Sequence, residues 1–243
     1  MKNALATLLN KMKYFAAERV KKNPRLWSIT LNNIHRLPFL LPHEQSYFGL
    51  KYLSIDPSKC ILDVGANNGL SALGFRAIGL TNKILSIEAD RLHEESLNRI
   101  KKLITGFEFM LIGAADEKKE ITLYRPTYKG IPLHGLTSAD LSYAKEAARR
   151  DLPAKKFRQL EFIETKAQFI PLDILDLNPG LIKIDVEGLD HLVLKGLRET
   201  TVRARPLFLI EYTPSTIVQI MEFFEDKEYK SYVYDHGTNS FYV

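Results

Sequence analysis

The segment Ile61-Leu62-Asp63-Val64-Gly65-Ala66-Asn67-Asn68-Gly69 constrains the fold more than any other. An apolar run closes on an acid, a turn follows with glycine at both ends, and a helical pattern starts at Leu70. That order predicts a buried strand, a tight loop that receives a phosphate or a nucleoside, and a helix. Far downstream, Leu181-Ile182-Lys183-Ile184-Asp185-Val186-Glu187-Gly188 reads the same way, a buried strand that ends in carboxylates.

Between and around these blocks, short apolar runs alternate with amphipathic stretches. Strands are expected at 60–64, 83–88, 107–112, 181–186 and 206–211. Helices are expected from 68 or 70 to 79, at 91–104 with Asp90 as cap, from 189 onward, and at 215–224 capped by Thr213 or Ser215. Such alternation predicts an α/β fold whose mostly parallel sheet is covered by helices on both faces. The rhythm breaks at 117–172, where a short strand (120–124), a glycine- and proline-bearing loop (128–136), a polar helix (138–150) and an extended segment (160–171) suggest an insertion beside the site. The C-terminus reads as a hairpin of 230–234 and 240–243 around His236-Gly237-Thr238-Asn239. The expected division is an N-terminal helical extension at 1–57 and a main domain at 58–243.

In that extension Leu5, Leu8, Met12, Phe15 and Ala16 recur at helical spacing among Lys2, Lys11, Lys13, Lys21 and Lys22. Two readings follow: a helix packed on the main domain, or a basic amphipathic helix lying on an anionic membrane surface. A second helix is expected at 43–53, behind Pro42.

With 45% hydrophobic and 26% charged residues among 243, the chain can bury a substantial core and is not of the disordered class. Its net charge of +5 is not gathered into a basic stripe interleaved with aromatics, so no nucleic-acid partner is expected. The single cysteine, Cys60, excludes an internal disulfide framework and fits a reducing, cytoplasmic setting. No run approaches the about 20 apolar residues of a membrane span. Nor does a small-residue cleavage site follow the N-terminal apolar patch, so no signal peptide is expected. Nothing in the sequence sets the oligomeric state.

Ligands of open parallel sheets bind beyond the carboxyl ends of the strands. Acids cluster at those ends here: Asp63, Glu88, Asp116, the group 185–190, and Glu211. The loop Gly65-Ala66-Asn67-Asn68-Gly69 lacks the G-x-G spacing of dinucleotide sites, and the Asn67 side chain obstructs a close phosphate. An acid at the end of the first strand suits a ligand with ammonium or hydroxyl groups. S-adenosylmethionine, with an amino-acid moiety, a ribose, an adenine and no phosphate, has that chemistry. Glu88, followed by Ala89, lies about 20 residues past Gly65, where an acid accepts hydrogen bonds from ribose hydroxyls. Asp116 can take a donor from the adenine amine, or serve as a turn acid before Glu117-Lys118-Lys119.

Ile61 to Gly69, Ser86-Ile87-Glu88-Ala89-Asp90, Gly113-Ala114-Ala115-Asp116, and above all Ile182-Lys183-Ile184-Asp185-Val186-Glu187-Gly188 with Leu194-Lys195-Gly196 and Leu209-Ile210-Glu211 resemble the FkbM-type methyltransferases. The first block is shared by many class I methyltransferases; the Lys-Ile-Asp-Val-Glu-Gly block is far more specific. The resemblance spans roughly residues 40–215. It implies a Rossmann-like sheet with an antiparallel last strand, S-adenosylmethionine as donor, and O-methylation of sugars or polyketide-like hydroxyls. It further implies that Asp63, Gly65, Asn67 and Gly69 line the methionine end, with Ala66 in the same loop, Glu88 and Ala89 at the ribose, and Asp116 on the adenine side. His191 departs from the commonest family pattern, in which a less basic residue follows the acid at Asp190.

Two catalytic readings stay open. Asp185, with Glu187 beside it, can orient or deprotonate an acceptor hydroxyl, or His191 can act as the base. Asp185, Asp190 and Glu211, together with Glu187, are candidate oxygen ligands for a magnesium ion. The expected activity is transfer of a methyl group to a hydroxyl of a small molecule or glycan. A nicotinamide-dependent oxidoreductase and a non-catalytic S-adenosylmethionine-binding module are the alternatives.

Overall fold

The computed structural model describes residues 45–133, 135–213 and 216–243. The expected helix within the first 44 residues, and its membrane contact, lie outside the described residues. No helix among the described residues is long and apolar enough to cross a membrane.

The central sheet contains β1 (Cys60–Val64), β2 (Ile84–Ile87), β3 (Phe107–Met110), β8 (Pro179–Ile184) and β9 (Leu207–Ile210), in the order β3-β2-β1-β8-β9. Every pair in it is parallel. The strand order reverses its direction of growth between β1 and β8, which places the switch point directly beside the loop after β1. The helices α1 (Leu70–Ala77) and α2 (Glu94–Leu103) follow β1 and β2. On the other side of the switch, α5 (Asp190–Lys195) and α6 (Arg198–Ala204) follow β8, and α7 (Ile217–Phe224) follows β9.

Side-chain alternation splits the core in two. Ile61 and Leu181 pack with Phe75, Leu97 and Ile100 under α1 and α2. Leu62, Val64, Ile182 and Ile184 pack with Val193, Leu194, Ile220 and Phe223 under α5 and α7. Both faces are therefore covered, which explains why β1 and β8 read as continuous apolar runs and not as alternating ones. Two polar residues interrupt that pattern, Asp63 on β1 and Lys183 on β8. They are register partners, and Ser86 of β2 is Asp63's partner on the other side. A serine, an acid and a lysine thus lie in one row across three buried strands.

The expected insertion builds a second sheet. It consists of β4 (Gly113–Ala114), β5 (Lys119–Tyr128), β6 (Ile131–Pro132) and β7 (Leu160–Ile170), in the order β4-β7-β5-β6. The strand expected at 120–124 is twice that length, because β5 pairs with β7 antiparallel from Lys119↔Phe169 to Tyr128↔Leu160. Between them lie α3 (Leu141–Asp151), capped by Asp140, and the short α4 (Ala154–Phe157). Gly113 is needed here: a Cβ on it would sit 2.3 Å from the Phe169 ring, which closes the junction of the two sheets.

Three expectations are corrected. The antiparallel last strand does not join the central sheet: β9 runs parallel to β8, and the later strands β10 (Val233–Asp235) and β11 (Ser240–Tyr242) pair only with each other. That hairpin packs instead through its aromatic residues, with Tyr234 6.1 Å from Tyr52 and His236 stacked 4.7 Å from Phe48. The helix expected at 43–53 is, where described, the tighter 3-10 helix Gln45–Tyr52. The 91–104 helix begins as a 3-10 turn, Arg91–His93, because Asp90 accepts from Leu92 N at 3.0 Å and draws the first turn tight.

Candidate functional site

A cleft opens at the carboxyl ends of β1, β2 and β8. Its walls come from Gly65 and Asn67 after β1, from Glu88, Ala89 and His93 after β2, and from Asp185 and Glu187 after β8. The second sheet and its loops supply the remaining cover, including Thr137, Ser138 and Phe169.

The loop after β1 is pinned on both sides. Gly65 N and Ala66 N donate to Ile87 O of β2 at 2.9 and 3.1 Å. Gly65 adopts φ +82, and a Cβ there would stand 1.8 Å from Asp185 O, so the loop and the end of β8 touch backbone to backbone. No other residue type fits that approach. Asn67 takes a left-handed conformation (φ 51), which turns its N–H toward Glu88. Of the remaining loop positions, Ala66 is buried away from the cleft and Gly69 lies at the start of α1.

Glu88 is buried, and both carboxylate oxygens are held by backbone donors. Asn67 N gives 2.7 Å to Oε2 and Asp90 N gives 2.7 Å to Oε1. Each oxygen keeps a further lone pair toward the cleft. Burial pushes this carboxyl up to about 7, against the lowering by those two N–H groups. Next to it Asp90 forms a two-point ion pair with Arg125 of β5, Nε to Oδ2 at 2.7 Å and Nη2 to Oδ1. Burial opposes ionisation of Asp90, but the guanidinium outweighs it and holds the carboxyl below its ordinary value. The pair fastens the second sheet to the end of β2, a link that the isolated Arg125 did not signal in the sequence.

Asp63 does not reach the cleft. It is fully buried and accepts from Ser71 Oγ and Ser86 Oγ, both at 2.8 Å, while its Oδ1 lies 3.5 Å from Lys183 Nζ. Lys183 Nζ also donates to Gly65 O at 2.9 Å and pairs with Asp185 Oδ2 at 3.1 Å. Burial opposes this charge, yet Asp185 and Asp63 more than offset it and hold the ammonium well above the ordinary lysine value. One buried cation therefore ties the first strand, the loop after it and the end of β8 together.

Beyond β8 the chain turns through Glu187, itself at φ 51, with its carbonyl receiving Ser138 Oγ at 2.8 Å. Burial, and then the adjacent Asp185, push the Glu187 carboxyl up to about 8. Asp185, Glu187 and Glu211 each bring an oxygen within 4.8 Å of the others, the grouping among the described residues suited to a cation. Asp190 is not of that group. Its Oδ1 turns back to receive Val186 N at 3.4 Å, so of the four expected carboxylates three come together. A cation at this grouping has to compete with Lys183 for Asp185 and displace a proton from Glu187.

Two further candidates lie apart. Asp116 is not in the cleft wall and pairs with Lys119 Nζ at 2.7 Å, the turn-acid arrangement. His191 also lies outside the wall. Burial, followed by Lys195, lowers its imidazole, and its electrostatic neighbours are Lys195, Asp116 and Lys119, not the carboxylates after β8.

A parallel sheet with a cleft at its switch point, a glycine-bearing loop after β1 and a held acid after β2 defines a Rossmann-like α/β protein. Comparison with protein families matches residues 63–231 to the methyltransferase FkbM domain, and the chain belongs to that family. A crystal structure of methyltransferase FkbM from Methylobacillus flagellatus KT is similar with a TM-score of 0.48 and 17% identity, over 90% of this chain and 54% of that one. The chain thus spans about half the length of that protein. No curated protein matches the sequence.

Proposed function

We propose that this chain is an S-adenosylmethionine-dependent O-methyltransferase acting on a hydroxyl of a saccharide or glycoconjugate. The observation that carries the reading is Glu88: a buried carboxylate in the cleft wall, with both oxygens fixed by backbone N–H groups. A carboxylate held in this way supports the reading that it accepts the two ribose hydroxyls of a nucleoside. Asn67 and Gly65 then face the methionine end, and Ala89, Ile112 and Phe169 offer an apolar wall to the adenine. The carboxylates Asp185 and Glu187 after β8 line the same cleft, beside Gly65, and would meet the acceptor hydroxyl there.

Transfer is an in-line displacement. The acceptor oxygen attacks the methyl carbon, a C–O bond forms, and the C–S bond breaks with its electron pair retained by sulfur, which leaves S-adenosylhomocysteine. The hydroxyl proton passes to a carboxylate. Asp185, held by Lys183, orients the hydroxyl, and Glu187, with a carboxyl near 8, is matched to take the proton. Positioning of the two reactants supplies much of the acceleration.

Calorimetric titration with S-adenosylhomocysteine and with NAD⁺ tests the donor assignment. Binding of the first and not the second is expected; the reverse result overturns it. Incubation with labelled S-adenosylmethionine and a panel of glycosides tests transfer. Tight donor binding with no methylated product from any hydroxyl acceptor would favour the non-catalytic module.

A further inference from the structure

The C-terminal hairpin belongs to neither sheet. β10 and β11 pair only with each other, and a two-stranded hairpin is stable only with something to pack on. One face has that support. Tyr234 and Phe241 lie 5.2 Å apart and meet Tyr52 at 6.1 and 6.5 Å, and a Cβ on Gly49 would stand 2.9 Å from the Tyr234 ring. The other face is open: Val233 and Tyr242 are register partners on it, 54% and 51% exposed. Around them Tyr52, Leu53, Tyr232 and Phe241 also keep much of their surface in water. We infer that this aromatic surface docks on an anionic lipid bilayer as a peripheral contact. The inference does not depend on the methyl-transfer reading.

Two observations choose a bilayer over a second protein. The first is residue type. Tyr52, Tyr232 and Tyr242 each combine an apolar ring with a polar tip, which is the chemistry that settles at the headgroup level of a membrane. Lys51, on the 3-10 helix, and Lys230, ahead of β10, are exposed on the same part of the molecule. The acid of the hairpin, Asp235, is engaged at the turn, where it accepts from Gly237 N at 2.6 Å. The second observation is the distribution of charge. Eight of the 34 lysines and arginines but only two of the 29 acids precede Gln45, so the chain from Gln45 on is near neutral and the positive excess lies in the first 44 residues. That segment joins the described chain at the 3-10 helix that carries Tyr52, which tethers its cations beside the aromatic surface. Burial of aromatic side chains together with attraction of Lys and Arg to anionic lipids is the pair of forces that holds a peripheral contact.

Vesicle flotation of the whole chain tests this. The probes are vesicles of phosphatidylcholine alone and of phosphatidylcholine mixed with phosphatidylglycerol in equal parts. The chain should float with the anionic vesicles, stay behind with the neutral ones, and release as salt is raised. Val233→Ser combined with Tyr242→Ser should lower the partition coefficient about tenfold, because both side chains leave water on docking. Both positions are more than half exposed, so the variant should fold, and an unchanged Tm checks it. Tyr232→Ser, outside the ladder, gives a second readout with the same direction. Lys11→Gln, Lys13→Gln, Lys21→Gln and Lys22→Gln together should weaken flotation with the anionic vesicles. Absence of wild-type flotation with anionic vesicles, equal flotation with neutral ones, or undiminished flotation of the hairpin variants or of the lysine variant overturns the inference. A wild-type dimer in sedimentation equilibrium that the hairpin variant dissociates, without flotation, also overturns it and assigns the surface to a second copy of the chain.

Discussion

Replacing Lys183 by methionine probes the centre of this architecture, because the side chain keeps its length and loses its charge. In the native chain Nζ lies 2.9 Å from Gly65 O, 3.1 Å from Asp185 and 3.5 Å from Asp63. Asp185 is partly exposed and can turn to water when the ammonium goes. Asp63 is fully buried and cannot, so its carboxylate is left with only the two serine hydroxyls. Removing one partner of a buried ion pair costs about 3–5 kcal/mol, since the other charge stays desolvated. For a chain of this size that lowers Tm by about 6–20 °C. Urea titration and thermal melting of Lys183→Met, Asp63→Asn and the double variant give the measurement. The double variant should recover at least about 1 kcal/mol relative to the sum of the singles, because the stranded charge is removed along with its partner. A loss below about 1 kcal/mol for Lys183→Met, or strict additivity of the two substitutions, would refute the claim that the two charges are one unit.

Glu88→Ala should weaken S-adenosylhomocysteine binding at least about tenfold, roughly 1.4 kcal/mol, in calorimetric titration; equal affinity would remove its ribose role. Because its free-state carboxyl sits near 7 and ribose hydroxyls favour the ionised form, donor binding below that pH should release a proton and tighten as pH rises toward 7. Titration at pH 6 in buffers of different ionisation enthalpy measures that release, and Glu88→Gln should abolish it. Asp185→Asn should keep donor affinity and lose methyl transfer, measured as S-adenosylhomocysteine formed per enzyme; retained turnover rejects its role. If Glu187 takes the acceptor proton, kcat/KM should climb with pH through about 8, since a raised carboxyl must first lose its own proton, and Glu187→Gln should remove that limb from the pH profile.

What could be read from the sequence followed from periodicity and from strand-end chemistry. Both halves of the central sheet were legible because β1 and β8 are buried on two faces and therefore run apolar except at Asp63 and Lys183. The place of Glu88 in the cleft wall was legible because an acid directly after a buried strand stands at the carboxyl end of the sheet. The strands at 120–124 and 160–171 were legible, but their pairing into a second sheet was not, for a physical reason. Its longest strands, β5 and β7, are only partly buried and mix charged with apolar side chains, so their 10-pair ladder rests on cross-strand pairing between segments far apart in the chain. The role of Asp90 was half legible: the cap on the following turn is a local property, but its pairing with Arg125 depends on where the second sheet docks. Asp116 and His191 misled for the converse reason. Their residue types suit a site, yet the positions that follow β4 and open α5 turn them toward each other and toward Lys119 and Lys195.

The two motif blocks that identify the family are, in three dimensions, one object. Parallel pairing aligns Asp63 with Lys183, and one pleat further along each strand brings Gly65 against Asp185. The acid-to-glycine and the lysine-to-acid intervals are both two residues, the pleat period, so each block carries an internal pair on one face of its strand. Changing either spacing by one residue would flip its second member to the opposite face and separate donor loop from carboxylate. This gives Asp63, which does not line the cleft, a place in the motif. Asp63 holds Lys183, Lys183 holds both Gly65 O and Asp185, and the loop after β1 is thereby fixed relative to the carboxylates after β8. Substitutions of Asp63 and Lys183 should therefore disturb donor affinity and acceptor turnover together, whereas Glu88→Ala should act on donor affinity.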